Sequence, residues 1–207
     1  TAIDGTYEIC PRNPIVTHRH LSPLSDISVT GHADIVETTT GEWWMVLLAV
    51  RPYQNDSSLS TTDGCGHFHY NLGRETFMAP VIWDEDGWLR LANETGLINR
   101  KERLPELPAS YVPLADPNDD FESDNLAMIW NTIHPPVTPF YSLTERKGFL
   151  RLKLLPDTIS EITTPAFVGR RQQHKLCQVK TAMEFVPLSN TKEAGIVLLQ
   201  DDRFNYI

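Results

Sequence analysis

The stretch Gly41-Glu42-Trp43-Trp44-Met45-Val46-Leu47-Leu48-Ala49-Val50-Arg51 decides the fold. Between the turn-forming Gly41 and the charged Arg51, no polar side chain interrupts the run from Trp43 to Val50. A short continuous apolar run bounded in this way reads as a β-strand covered on both faces. Downstream, Thr76–Trp83 (TFMAPVIW) reads as a second strand, and Glu85-Asp86-Gly87 turns it into a third over Trp88–Leu91. Upstream, Ser28–Thr38 (SVTGHADIVET) alternates polar and apolar residues around a glycine. No window holds an apolar period near 3.6 residues long enough for a helix. Short strands divided by turn residues suit a sandwich, a barrel or a propeller.

Further along, residues 99–118 change character. Pro105, Pro108, Pro113 and Pro117 stand among charged neighbours without strand alternation. Such a composition reads as a stiff, extended linker lying along a surface. The chain is therefore expected to divide into residues 1–98, the linker 99–118, and a second β region over 119–207 that Asp119-Asp120-Phe121 opens. In that region strands are expected at Ala127–Asn131, Phe140–Leu143, Phe149–Leu154, Ala166–Arg170, Cys177–Phe185 and Ala194–Gln200, a spacing that suits a β-sandwich. Phe204–Ile207 reads as a last strand, joined to Ala194–Gln200 by Asp201-Asp202-Arg203. Thr1–Glu8 shows no initiator Met, basic region or apolar core, so it is not a signal peptide. An apolar strand left unpaired inside a hairpin is usually avoided at a natural terminus. Truncation is expected at both ends.

Composition narrows the partners. A formal charge of −9 disfavours nucleic acid and anionic membranes, which require a basic face. No run of about 18 apolar residues suggests a membrane-spanning helix. A neutral polar ligand such as a sugar is compatible with the charge. The three cysteines, Cys10, Cys65 and Cys177, are scattered and odd in number, so no disulfide framework is implied. Asn55 and Asn93 head Asn-x-Ser/Thr sequons, which decide little without a known compartment; cytoplasmic and secreted locations both stay open.

Several ordered blocks carry a resemblance. Asn13-Pro14-Ile15-Val16-Thr17-His18-Arg19, Gly31-His32-Ala33-Asp34-Ile35-Val36-Glu37-Thr38 with Gly41–Val46, and Leu72-Gly73-Arg74-Glu75-Thr76-Phe77 with Pro80–Trp83 and Asp86-Gly87-Trp88 resemble the last blades of the five-bladed propeller of glycoside hydrolase family 43. Asp120-Phe121, Tyr141–Arg146, Leu150-Arg151-Leu152 and Phe167–Gln173 resemble the start of that family's concanavalin-like sandwich. The resemblance implies an all-β fold: the last part of a five-bladed β-propeller followed by part of a β-sandwich. It also implies an inverting, exo-acting β-xylosidase or α-L-arabinofuranosidase, in which one carboxylic acid protonates the leaving oxygen while a second activates water. In the family these groups, and a third acid that tunes the first, lie in earlier blades. No catalytic residue is therefore expected within this chain. Association into homo-oligomers of the full-length protein is implied as well.

Two residues are singled out as substrate-binding. In the family the Arg of Leu-Gly-Arg-Glu-Thr, here Arg74, reaches the pocket floor, where a guanidinium offers fixed donors to sugar hydroxyls. The plain alternative is an ion pair with Glu75 or another acid. His32 corresponds to a histidine near the propeller axis, where some members hold a divalent cation through this imidazole and several waters. The implied metal is calcium near His32, with no cofactor required. The plain alternative is a ring bonded to backbone at a strand start. Alternation would send His32 and Asp34 to one face, but Asp34 reads as a structural acceptor.

Cys65, His67 and His69 invite a zinc reading that lacks a fourth ligand. Trp43, Trp44, Trp83 and Trp88 could stack on sugars, yet packing is the ordinary use of so large a surface. His174, Arg170 and Arg171 read as a solvated face. The leading expectation is part of an exo-glycosidase that releases xylose or arabinose from plant hemicellulose, with xylo- or arabino-oligosaccharide as its partner. The alternatives are a non-catalytic carbohydrate-binding module and a fragment inactive by itself.

Overall fold

Four strands, β1 (Ser28–Glu37), β2 (Trp43–Val50), β3 (Glu75–Trp83) and β4 (Leu89–Leu91), form one antiparallel sheet in the order β1-β2-β3-β4. The protein is seen in a computed structural model that describes residues 3–21, 25–53, 70–114, 116–201, 203 and 205–206. No helix occurs among the described residues. The chain divides into two compact units, Thr1–Tyr111 and Val112–Ile207.

The sheet belongs to the first unit, and the alternation of its side chains builds the core. Met45, Leu47 and Ala49 of β2 face one way, as period-2 geometry requires. They pack with Ala79 and Val81 of β3, Leu89 and Leu91 of β4, and Ile27 and Ile98 from the flanking segments. The opposite side of β2 is less evenly covered. Trp44 and Val50 are buried, whereas Val46 and Leu48 are half-buried. Coverage on both faces, as expected for this run, thus holds only at its two ends on that side.

Pro80 explains why β4 is so short. A proline inside a sheet removes a ladder donor. Continuing the β3–β4 register past Val81↔Leu91 pairs Pro80 with Ala92, and the Ala92 amide does donate to the Pro80 carbonyl at 2.9 Å. The reciprocal bond has no donor, and β4 ends at Leu91. At the other end of this hairpin Asp84 shapes the turn. Its Oδ1 accepts from the amides of Asp86 (3.1 Å) and Trp88 (2.8 Å), while Gly87 takes a φ of 78°, open to glycine at little cost.

The residues before β1 are tied back onto this sheet. Arg12 forms an ion pair with Asp84. The Thr17 amide donates to Gly96 O at 3.1 Å. His18 is buried, 7% exposed, between Ile27 O (2.9 Å) and the Ile98 amide (2.8 Å). On the far side, the Pro-rich stretch crosses the sheet. Arg103 pairs with Glu42 and lies 5.2 Å from the Trp44 ring centroid, and the Glu106 amide donates to Glu42 Oε2 at 2.6 Å. Arg103 thus lies against the ring of the buried Trp44.

The second unit is sparser in strands. β5 (Tyr141–Ser142) pairs with β6 (Arg151–Leu152), β7 (Leu198–Leu199) pairs with β8 (Asn205–Tyr206), and Asn131 bridges Gly169. Phe140 and Leu143 are its buried apolar anchors. Nearby, the Trp130 indole donates to Asp119 Oδ2 at 2.6 Å, with Phe121 and Arg170 against its ring. Arg170, expected on a solvated face, is exposed yet stacked in this way. Several strand expectations are corrected here. Cys177–Phe185 forms no strand, and Ala127–Asn131 and Ala166–Arg170 reduce to the single Asn131–Gly169 bridge. Strand-like composition needs a neighbouring ladder to become a strand. Val179 and Met183 are more than half exposed, without a strand alongside them among the described residues.

Candidate functional site

β1 is not a regular strand. Its register against β2 runs Ser28↔Val50, Gly31↔Leu48, Asp34↔Val46, so β1 advances three residues where β2 advances two, and does so twice. Each extra residue is a β-bulge, which turns the strand and re-aims a side chain. A left-handed residue sits within each interval: Val29 at φ 52° and His32 at φ 55°. For a β-branched residue that conformation is a genuine outlier. Because the second bulge falls between Gly31 and Asp34, simple alternation does not carry from His32 to Asp34. Both side chains are exposed. The plain reading of His32, a ring bonded to backbone, finds no such bond among the described residues.

Arg74 stands one residue before β3, after the turn that returns Gly73 N to Tyr70 O. Continuing the β2–β3 register puts it level with Val50, the partner of Ser28. His32 lies between the Gly31↔Leu48 and Asp34↔Val46 pairs, so Arg74 and His32 stand on the two strands flanking β2 but two to three residues apart along it. Two strand spacings separate those strands by about 10 Å.

The Arg74–Glu75 ion pair does not form. Glu75 is held instead by Arg51, whose Nε and Nη2 donate to the two carboxylate oxygens at 2.8 and 2.6 Å. This fork-to-fork geometry is the strong form of the interaction, and the carboxylate holds the Arg51 guanidinium charged even more firmly than usual. Arg74 is exposed and makes no hydrogen bond or ion pair among the described residues. An open groove lies between Arg51 with Glu75–Met78 and residues 99–102, but neither Arg74 nor His32 lines it.

Elsewhere the site residues are dispersed. Among the described residues no three His, Cys, Asp or Glu side chains gather to hold a metal ion. Calcium takes six to eight oxygen ligands, so a cation beside His32 would draw most of its shell from water. Cys65, His67 and His69 lie outside the described residues. Of the tryptophans, Trp44 is core; Trp83 is 47% exposed and meets Trp43 edge-to-face at 5.6 Å, so packing does not account for all four. His18 is the residue that sequence reasoning passed over. It was visible only as part of a motif, and its partner Ile98 lies 80 residues away.

A four-stranded antiparallel meander has the form of a single propeller blade, and the second unit is likewise all β among the described residues. The match to known proteins identifies which such architecture. The profile described as "Glycosyl hydrolases family 43" matches residues 1–89, and that described as "Beta xylosidase C-terminal Concanavalin A-like domain" matches residues 118–207. The chain belongs to glycosyl hydrolase family 43.

Among curated relatives, it is 36% identical to the non-reducing end alpha-L-arabinofuranosidase BoGH43B of Bacteroides ovatus, covering 98% of this chain and 36% of the relative. It is 32% identical to a beta-xylosidase of Bacillus subtilis, over 94% of this chain and 36% of the relative. Among solved structures, a xylan beta-1,4-xylosidase from Bacillus halodurans superposes with a TM-score of 0.71 at 35% identity, covering 84% of this chain and 31% of that one. The chain thus spans about a third of the length of these relatives.

Proposed function

We propose that this chain is part of an exo-acting glycoside hydrolase that releases xylose or arabinose from the non-reducing ends of plant hemicellulose oligosaccharides. Arg74 donates N–H groups to hydroxyls of the terminal sugar, and the His32 imidazole completes the hydrogen-bonding floor beside it. The acid and the base that perform the inversion are carboxylates outside these 207 residues. Inversion needs them on opposite faces of the sugar ring, far enough apart to admit a water. Fixing the sugar on these donors converts its encounter with those groups into an oriented, effectively unimolecular step.

One observation carries this reading: among the described residues Arg74 makes no ion pair, because Glu75 is taken by Arg51, and β1, on the other flank of β2, carries His32 on a strained bulge. An exposed guanidinium whose donors are uncommitted among the described residues is available to a ligand.

The test uses the full-length protein containing this chain. Aryl β-xyloside and aryl α-L-arabinofuranoside are offered, and the anomer first released is read by proton NMR. Hydrolysis of one or both with inversion is expected. Failure on both substrates, or release with retention, overturns the reading. Enzymatic turnover by the isolated 207-residue chain would overturn the placement of acid and base elsewhere.

A further inference from the structure

His18 is a buried polar side chain with neither ring nitrogen idle. Nδ1 lies 2.9 Å from the Ile27 carbonyl oxygen and Nε2 lies 2.8 Å from the Ile98 amide nitrogen. A backbone N–H can only donate, so Nε2 is the bare nitrogen and Nδ1 carries the hydrogen given to Ile27. One imidazole thereby joins the residue just before β1 to the segment just after β4. Both partners, Ile27 and Ile98, are themselves core residues.

Its place relative to β1 matters more than its burial. The two register slips of β1 follow directly on Ile27, and the second contains His32. A bulged stretch has a locally disrupted ladder, so its placement depends on how the strand's start is held. The N-terminal segment has other attachments, through Arg12 to Asp84 and through Thr17 to Gly96. What His18 adds to these is the tie to Ile27.

We propose that His18 is a positioning residue for His32: by fixing the Ile27 carbonyl it sets where β1 begins, and so holds the bulge that orients the His32 imidazole toward the sugar. The inference rests on the reading of His32 as a pocket residue.

The full-length protein is made with 13C-labelled histidine, and the His32 ring signal is assigned by its loss in His32→Ala. In His18→Leu the His32 signal is expected to move, and kcat to fall by about 10- to 100-fold, the range a misplacement of about 1 Å produces. His18→Gln, whose amide carries a donor and an acceptor on one carbon as imidazole does, is expected to restore both. In the His32→Ala background, His18→Leu is expected to change kcat by less than about twofold, since coupled residues fail to add. If the Leu variant does not fold, the same measurements are made on His18→Asn, which is too short to reach both partners. An unmoved His32 signal in the folded variant, or a full-size kinetic effect without His32, overturns the proposal. Unchanged kinetics in His32→Ala alone would instead overturn the pocket reading, and the ring signal still reports whether His18 places His32.

Discussion

Arg51, one residue past β2, grips Glu75, at the start of β3, with two hydrogen bonds of 2.8 and 2.6 Å. Ala49 is the residue directly opposite Glu75, so Arg51 reaches it diagonally along the same face, a separation that long side chains bridge. This pair separates the two neighbouring arginines by role. In the full-length protein, Arg74→Ala is expected to lower kcat/KM by on the order of 100-fold, as losses of oriented transition-state contacts do, and to shift stability by less than about 0.5 kcal/mol, as exposed substitutions do. Arg51→Ala is expected to destabilise by about 1–2 kcal/mol, because it strands a half-buried carboxylate. Kinetics and urea unfolding on both variants check this; equal losses of stability would remove the distinction.

Val29 holds a left-handed conformation that β-branched side chains resist, yet it is about half exposed and contributes little packing. Relieving such strain is worth about 1–2 kcal/mol, partly offset by the looser unfolded chain a glycine allows. Val29→Gly is therefore expected to stabilise by up to about 1 kcal/mol, read as a rise in the urea midpoint. A loss of more than 1 kcal/mol would mean the conformation is held by contacts rather than endured.

Acid should loosen the Pro-rich strap over Trp44. The Glu106 amide, foremost, and then the Arg103 guanidinium hold the Glu42 carboxyl below its ordinary range; the Trp44 indole N–H lies near enough to add to this, although outside hydrogen-bonding geometry. A carboxylate favoured in the folded state stabilises above its unfolded pKa of 4.5, and that contribution is lost as pH falls through the lower folded value. Hydrogen exchange of the Glu106 amide should accordingly gain an acid-driven opening below about pH 4.5. In Glu42→Ala the amide should be open at neutral pH as well. Protection independent of pH in the parent protein would sink this account.

The β3–β4 turn hangs on Asp84. Its carboxyl is held low first by the Trp88 amide, then by the charge of Arg12 and the Asp86 amide. Asp84→Ala leaves two turn amides without their acceptor and is expected to lower the melting temperature. Asp84→Asn, which keeps the acceptor oxygen, should lose less than half as much. Thermal unfolding of the two variants checks the order.

The sheet strands were legible because β2 is an unbroken apolar run and the β3–β4 turn is spelled out by Asp86-Gly87. Family 43 and the all-β fold were likewise legible, from ordered blocks of residues. The two bulges were not. Nothing in Ser28–Thr38 announces that Val29 and His32 leave extended backbone, because their conformation follows from pairing with β2 rather than from local preference. Glu75's choice of Arg51 over adjacent Arg74 was equally hidden, since a cross-strand diagonal depends on register. The Cys177–Phe185 misreading has the same root: apolar, β-branched residues state a capacity to pair, and pairing needs a second strand.

Pro80 carries a consequence beyond the length of β4. A sheet's outer rim is where another polypeptide can add itself, strand by strand, until a soluble domain seeds a fibre. With only Leu89, Arg90 and Leu91 laddered there, the rim offers an incoming chain too few rungs to climb. A threonine at Pro80 would supply the absent amide and lengthen that rim, inviting the self-association that the imino acid now forestalls.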